Sequence, residues 1–241
     1  MMKSKIKIGS FQGCIVENDF HANLEKVRNT LKETRGLKLD FLCFPEAYLS
    51  GYTPKAIMES AVPIDYPELI DFIKETKDYD TVIMVGMSEK ATKGIYNTVL
   101  VIYKGELLGK VHKTILTSYD KKYYITDLIL PVFNIKEVKF GIAICHSTSF
   151  AEPSSYLRWK GVRLLFTPHF NSIRPDVFWE HRSMVLNNQA AIATLMKMVV
   201  VRSNVIVIEK DSLGCGDSNI WNMNGELVAQ GTPFKEGIIV A

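Results

Sequence analysis

The sequence has few cysteines and no long apolar run, and these absences exclude several classes of protein. Four cysteines, at positions 14, 43, 145 and 215, are too few for a disulfide scaffold, and none belongs to a CxxC pair typical of zinc or redox sites. The most apolar stretch, residues 199–208, is too short to span a membrane and contains an arginine. No signal-peptide core follows the basic N-terminus. We therefore expect free thiols and a cytoplasmic location.

The sequence also lacks an excess of charge of either sign. Lysine and arginine total 29, aspartate and glutamate total 26, and the net charge is +3 with no basic block. This balance gives no reason to expect a nucleic-acid or membrane partner. His112, His169 and His181 show no metal-ligand spacing, so no metal site is expected. Without repeats or low-complexity segments, the 47% apolar content predicts one compact domain over residues 1–241.

Strands and amphipathic helices alternate in the first part of the chain. The first predicted helix has an apolar face that recurs from Phe20 to Leu31. Asn18 or Asp19 is expected to cap its start, and Gly36 is expected to be the left-handed residue at its end. The elements predicted here are strands at 6–12, 39–44 and 81–87 and helices at 20–31 and within 63–78.

Hairpins then interrupt this alternation, which predicts a mixed rather than a purely parallel sheet. Strands and helices in these numbers favour an α/β fold with four layers, an α-β-β-α sandwich with mixed sheets. The later elements predicted are hairpins at 95–103/107–111 and 130–135/138–144, helices at about 150–160 and 175–197, and strands at 163–167, 198–203, 218–222 and 226–229.

Cys145 ends an apolar stretch that is predicted to be a buried strand, residues 139–145. A cysteine at the carboxyl end of such a strand can present its sulfur at the edge where ligands enter α/β folds. Position alone nevertheless favours structural packing over a nucleophilic role. His146 would point to the opposite face of a strand, so it is expected to line a pocket or be a bystander rather than to deprotonate Cys145.

Two further charged residues follow predicted strands. Glu46 comes directly after the strand at 39–44, and Lys113 follows the strand at 107–111. Each alone would be interpreted as a surface charge. Together with Cys145 they resemble the Glu-Lys-Cys triad of the nitrilase, or carbon-nitrogen hydrolase, superfamily. The resemblance extends to several blocks along the chain: Lys7-Ile8-Gly9, Phe44-Pro45-Glu46, Ser50-Gly51-Tyr52, Tyr96-Asn97-Thr98, Gly109 to Lys113, Gly141 to Cys145, Gly216-Asp217-Ser218 and Asn224-Gly225-Glu226.

The resemblance implies a chemistry for these residues. Cys145 would be the nucleophile, Glu46 the general base, and Lys113, with the backbone N–H of His146, the stabiliser of the oxyanion. The implied substrate is a small amide or N-carbamoyl compound, cleaved through a thioester without metal or organic cofactor. Nitriles are less expected than amides. The family also implies pairing of sandwiches into a homodimer or larger homo-oligomer.

The sequence departs from the family pattern in several places. Asp120 stands where relatives commonly have a second glutamate, and we expect it to orient Lys113 with one methylene less reach. Ser147 replaces an acid that many relatives have two residues after the cysteine. These departures keep two alternatives open: a non-catalytic member that binds small molecules or assembles, and an acyltransferase that uses the same thioester.

The substrate pocket is predicted only in outline. Tyr52, His146, Phe170 and Asn171 follow or flank strand ends and are the candidates to line it, although each could equally be a packing residue. No arginine is positioned there by the sequence, so a free carboxylate on the substrate is not required.

Overall fold

The computed structural model describes residues 5–241, which form an α/β fold on a curled, mixed sheet. The predicted fold class is confirmed. The strands are β1 (Ile8–Gly13), β2 (Phe41–Cys43), β3 (Val82–Ala91), β4 (Gly94–Tyr103), β5 (Glu106–His112), β6 (Tyr124–Ile125), β7 (Phe133–Ile135), β8 (Val138–Ile142), β9 (Leu164–His169), β10 (Val199–Glu209), β11 (Ser212–Cys215), β12 (Asn219–Trp221), β13 (Leu227–Gln230) and β14 (Gly237–Val240).

The helices carry the predicted apolar faces, but the first one ends differently from the prediction. Asp19 caps it by accepting a hydrogen bond from the Ala22 N–H at 2.9 Å. At its end a 3-10 turn, Arg35–Leu37, extends the chain, so the left-handed position falls on Lys38 (φ 51°) rather than on Gly36. The helices are α1 (Phe20–Thr34), α2 (Pro54–Glu59), α3 (Pro67–Glu75), α4 (Ala151–Trp159) and α5 (Phe178–Met196).

The strand order explains how two layers arise from one sheet. The path runs β5-β4-β3-β2-β1-β10-β9-β8-β7, parallel in its centre and antiparallel in the predicted hairpins β3-β4-β5 and β7-β8. β1 and β10 join its two halves through the pairs Gln12↔Asn204 and Gly13↔Val205. The sheet curls so that the halves face each other, and the two layers are continuous rather than separate sheets.

Three apolar clusters fill the spaces between the four layers. Phe41, Phe140 and Phe166 lie in the central cluster, with ring centroids 5.3 to 5.7 Å apart. Helices α1 and α3 cover one half of the sheet through residues such as Leu24 and Phe72, and α4 and α5 cover the other half. The resulting order of layers is the α-β-β-α arrangement expected from the sequence.

Several elements were not predicted. β10 extends to Glu209 and pairs with β11, whose short Ser-Leu-Gly-Cys sequence has little apolar alternation. β14 pairs antiparallel with β1 at the other end of the chain. The short helix α2 begins after Thr53, which accepts a hydrogen bond from the Ala56 N–H. Within residues 5–241 no helix combines the length and the apolar character needed to cross a bilayer.

Candidate active site

Glu46 is a fully buried carboxylate that lies in the loop after β2. Its Oε1 accepts hydrogen bonds from Lys113 Nζ at 2.7 Å and from Asn97 Nδ2 at 2.8 Å. Its Oε2 accepts the backbone N–H of Phe170 at 2.9 Å. Because Phe170 follows β9 in the other half of the sheet, this last hydrogen bond joins the two layers at their common edge. These donors hold the carboxylate in one orientation.

Lys113 lies between two carboxylates at the end of β5. Its ammonium is 2.7 Å from Glu46 Oε1 and 2.8 Å from Asp120 Oδ2, and its side chain is 1% exposed. Burial alone would lower the pKa of Lys113, but the negative charges of Glu46, Cys145 and Asp120 raise that pKa above its ordinary value. Lys113 is therefore a permanent buried cation at neutral pH.

Asp120 occupies the position where the resemblance implies a second acidic residue. It is buried, and it begins the 3-10 turn Asp120–Lys122. Burial would raise the pKa of its carboxyl group, but the charge of Lys113 and hydrogen bonds lower the pKa below its ordinary value. The Thr117 N–H donates to Oδ2 at 2.8 Å. Asp120 thus contacts Lys113 directly despite its shorter side chain, and its catalytic role stays a prediction.

The Tyr52 hydroxyl links these charged groups. It donates to Asp120 Oδ1, accepts from Lys113 Nζ at 3.0 Å and lies 3.1 Å from Glu46 Oε1. Its ring stacks on Phe170 with centroids 4.7 Å apart. Burial and the neighbouring carboxylates raise the pKa of Tyr52 well above its ordinary value, so the hydroxyl stays protonated.

Cys145 lies in a short 3-10 turn, Cys145–Ser149, and not at the end of a strand as predicted, because β8 ends at Ile142. Its backbone has φ 45°, a left-handed conformation that is strained for a residue with a side chain. The Thr148 hydroxyl donates to the Cys145 carbonyl at 2.7 Å, and Ser147 Oγ accepts the Ile115 N–H at 3.2 Å. These hydrogen bonds fix the turn against the segment that follows Lys113.

The thiol of Cys145 is half-buried beside Glu46 and is protonated at rest. Burial and the Glu46 carboxylate raise its pKa to about 12, although Lys113 and the Phe170 N–H favour the thiolate. The thiol therefore needs a base at the moment of attack. The group within hydrogen-bonding contact of it is Glu46.

A cavity of about 980 Å³ opens in front of these residues. Lys113 and Cys145 line it, as do the four residues that the sequence nominated for the pocket: Tyr52, His146, Phe170 and Asn171. Their role in binding a substrate stays a prediction. Three of them project from loops after strands, and His146 projects from the 3-10 turn, where the expected strand alternation does not apply.

The histidines lie apart from any metal cluster. Among residues 5–241, no group of three or more histidine, cysteine, aspartate or glutamate side chains is arranged to hold a metal ion. Burial lowers the pKa of His146, His169 and His181, so all three are neutral at pH 7. His112 instead lies between Glu89 Oε2 at 3.1 Å and Asp127 Oδ2 at 2.6 Å.

Two residues of this region were missed as site residues by sequence reasoning. Asn97, which holds Glu46, was noted only as part of the Tyr-Asn-Thr block on a hairpin. Arg202 lies in β10, is 4% exposed and donates to Asn171 Oδ1 at 2.6 Å. Its only sequence signal was a charge within an otherwise apolar strand, residues 199–208.

The fold and the cysteine-containing site define a class of α/β hydrolytic protein, and a comparison with protein families identifies it. The family described as Carbon-nitrogen hydrolase matches residues 7–241. The chain therefore belongs to the carbon-nitrogen hydrolase family, within the nitrilase superfamily, as the sequence motifs indicated.

Curated relatives differ in activity. The chain is 26% identical over 232 residues to a glutamine-dependent NAD(+) synthetase of Thermotoga maritima, covering 92% of this chain but 39% of that protein. It is 25% identical to a nitrilase of Pyrococcus abyssi, covering 91% of this chain and 82% of the relative. It is 24% identical to an N-carbamoylputrescine amidase of Arabidopsis thaliana, covering 93% and 82%. The chain thus spans well under half of the synthetase and most of the other two.

Solved structures share the fold. The structure superposes on an amidase from Nesterenkonia sp. AN1 with a TM-score of 0.86 at 15% identity, covering 98% of this chain and 92% of that one. It superposes on the glutamine-dependent NAD+ synthetase of Acinetobacter baumannii with a TM-score of 0.85 at 21% identity, covering 98% of this chain and 45% of the synthetase.

Proposed function

We propose that this protein is a cysteine-dependent hydrolase that cleaves a carbon-nitrogen bond of a small amide or N-carbamoyl compound. Cys145 is the nucleophile, Glu46 the general base and acid, and Lys113 the cation that stabilises the oxyanion. Asp120 keeps Lys113 charged and oriented. The observation that carries the proposal is the contact of Glu46 with both the protonated thiol of Cys145 and the ammonium of Lys113.

The proposed steps account for every proton. Cys145 Sγ attacks the carbonyl carbon while its proton passes to Glu46, and the carbonyl oxygen gains negative charge near Lys113. Glu46 then returns the proton to the nitrogen as the C–N bond breaks, which leaves a thioester. Water attacks the thioester, its proton passes to Glu46, and the C–S bond breaks as Glu46 returns the proton to sulfur.

The relatives support the reaction class. The Nesterenkonia amidase forms an adduct with acrylamide at its active-site cysteine, and the plant relative is named for cleavage of an N-carbamoyl compound. The cavity of about 980 Å³ has room for a substrate of this size. The glutamine-dependent synthetases contain more than twice the length matched here, so their overall activity is not part of the proposal.

The direct test is acyl-enzyme formation. The protein is mixed with a panel of amides and N-carbamoyl amines, and intact-mass spectrometry follows an acyl adduct that maps to Cys145. Cys145→Ala should lose both the adduct and hydrolysis, whereas Cys14→Ser, a matched change at an exposed cysteine, should keep both. Hydrolysis by Cys145→Ala at the wild-type rate would refute the proposal.

The two alternatives give different results in the same experiment. A non-catalytic binding or assembly protein would give no adduct with any compound, and an acyltransferase would release acyl-amine product when an amine is added. Slow alkylation of Cys145 does not distinguish a catalytic from a non-catalytic protein, because the pKa of about 12 keeps the resting thiol protonated in either case.

A further inference from the structure

Arg202 is a buried cation that the proposed reaction does not use. It is 4% exposed, and its Nη1 donates to the backbone oxygens of Gly216 at 3.3 Å and Asp217 at 2.5 Å. Its Nη2 donates to Asn171 Oδ1 at 2.6 Å. Within residues 5–241 its Nε has no hydrogen-bond partner. Burying a guanidinium with an unsatisfied N–H is costly, so this position calls for a functional explanation.

Arg202 determines which way the Asn171 side chain is turned. A guanidinium has donors only, so the atom that faces it must be the carbonyl oxygen of the amide. The amide nitrogen, Nδ2, is then left as a donor on a residue that lines the cavity. The backbone of Asn171 is held as well, because its N–H donates to Asn204 Oδ1 at 2.9 Å.

This donor lies close to the reacting atoms. Phe170, the residue before Asn171, donates its N–H to Glu46 Oε2 at 2.9 Å and also interacts with the Cys145 sulfur. Consecutive Cα atoms are about 3.8 Å apart. A group of the substrate that meets Asn171 Nδ2 therefore lies only a few bonds from the carbonyl that Cys145 attacks.

The charges behind Asn171 favour an oxygen acceptor at this place. Arg182 Nε pairs with Asp217 Oδ2 at 2.9 Å, so the two arginines share one carboxylate and leave one positive charge in excess. Neutral His181 lines both the cavity and the space beside Arg202. A carbonyl or carboxylate oxygen on the substrate would thus meet a fixed N–H donor with a positive charge behind it.

We propose that Arg202 is a positioning residue which directs Asn171 Nδ2 into the cavity, and that the substrate is an amide with a second oxygen acceptor a few bonds from the scissile carbonyl. This inference rests on the proposed function and names the substrate class of the same site. It changes the expectation drawn from the sequence, in which no arginine influenced the pocket.

Three amides of similar length provide the test: pentanamide, 4-oxopentanamide and succinamate. Their dissociation constants are measured by calorimetry on Cys145→Ala, so that no turnover is needed. We expect 4-oxopentanamide to bind about five- to tenfold more tightly than pentanamide, the range for one well-placed hydrogen bond. Succinamate shows whether a charged oxygen is preferred to a neutral one. Equal binding of all three, or no binding, would overturn the inference.

Asn171→Asp in the same background isolates the donor. The new carboxylate can still pair with Arg202 but presents no N–H to the cavity, so the preference for 4-oxopentanamide over pentanamide should fall to within about twofold. Asn188→Asp is the matched control, since it places the same charge elsewhere on the cavity wall and should keep the preference. A preference retained in Asn171→Asp would contradict the inference.

Arg202→Met tests the positioning role, with Arg202→Lys as a second variant if the first does not fold. Both lose the fork that holds Asn171 Oδ1, so the preference should fall as in Asn171→Asp. With wild-type background, the loss should raise KM for 4-oxopentanamide while KM for pentanamide is unchanged. An acyl adduct formed without preference among amides would refute this inference and leave the proposed function standing, whereas preference without any adduct would do the reverse.

Discussion

Lys113 Nζ lies 2.7 Å from Glu46 Oε1 in a site where both side chains are almost completely buried. Neither charge is compensated by water, so each depends on the other, and Asp120 supplies a second negative charge to the ammonium at 2.8 Å. Removing one member of such a group leaves an uncompensated buried charge, which is more costly than the pair itself is favourable.

Asp120→Asn should reduce kcat strongly. The substitution keeps the shape but removes a negative charge from Lys113, so the ammonium is less firmly oriented toward the developing oxyanion. We expect kcat to fall about 10²-fold, with kcat/KM falling equally. Asp120→Glu should retain more activity than Asp120→Asn. Asp71→Asn, at an exposed helix position, serves as the control, and equal kcat in Asp120→Asn and wild type would contradict the role assigned to Asp120.

Tyr52→Phe should separate the hydroxyl from the ring. The phenyl ring still stacks on Phe170, but Asp120, Lys113 and Glu46 lose the hydroxyl that links them. The loss of hydrogen bonds to charged groups predicts a destabilisation of about 1.5–3 kcal/mol, measured by urea unfolding. Tyr119→Phe removes a hydroxyl that donates only to the Tyr52 carbonyl, at 2.8 Å, and should destabilise less.

The reactivity of Cys145 toward iodoacetamide should rise with pH without reaching a plateau by pH 10. The reason is that its pKa is raised to about 12, so the thiolate fraction increases about tenfold per pH unit throughout this range. Mass spectrometry of the Cys145 peptide gives the rate, and Cys14→Ser removes the competing exposed thiol. A plateau below pH 8 would show that the resting thiol is ionised.

His112 should make the stability of the fold depend on pH. Burial lowers its pKa, but hydrogen bonds and charges from Glu89 and Asp127 raise the pKa above its ordinary value overall. Its stabilisation is thus fully present below the unfolded pKa of about 6.5 and is lost as the pH rises through the folded pKa. The free energy of unfolding at pH 6 and pH 9 should therefore differ less in His112→Gln than in wild type.

The control for this measurement is His21→Gln. His21 also has a raised pKa, through Glu68, but it is fully exposed and should leave the pH dependence nearly unchanged. If His112→Gln and wild type lose the same stability between the two pH values, His112 does not carry the effect.

The elements that the sequence predicted well are those whose apolar pattern determines their environment. The face from Phe20 to Leu31 and the hairpin around Lys104-Gly105 lie as expected because burial and turn chemistry act locally. The family motifs brought Glu46, Lys113 and Cys145 to one edge of the sheet. The end of α1 was wrong because a 3-10 turn displaced the left-handed position to Lys38, and no residue pattern distinguishes those two endings.

The residues that the sequence did not reveal depend on partners distant in the chain. Asn97 matters because its side chain meets Glu46, 51 positions earlier. Arg202 matters because it meets Asn171, 31 positions earlier, across two neighbouring strands. A charge within an apolar strand indicates an unusual environment but not which atom it serves, and only the register of β9 and β10 supplies that information.

The hydrogen bond from the Phe170 N–H to Glu46 joins groups that belong to opposite halves of the chain. Glu46 and Lys113 come from the first half, and Cys145 and Phe170 come from the second. The nucleophile and its base therefore meet only after the halves have docked. In a partly folded chain the thiol would be separated from its base, so chemical competence would be acquired at the last step of assembly.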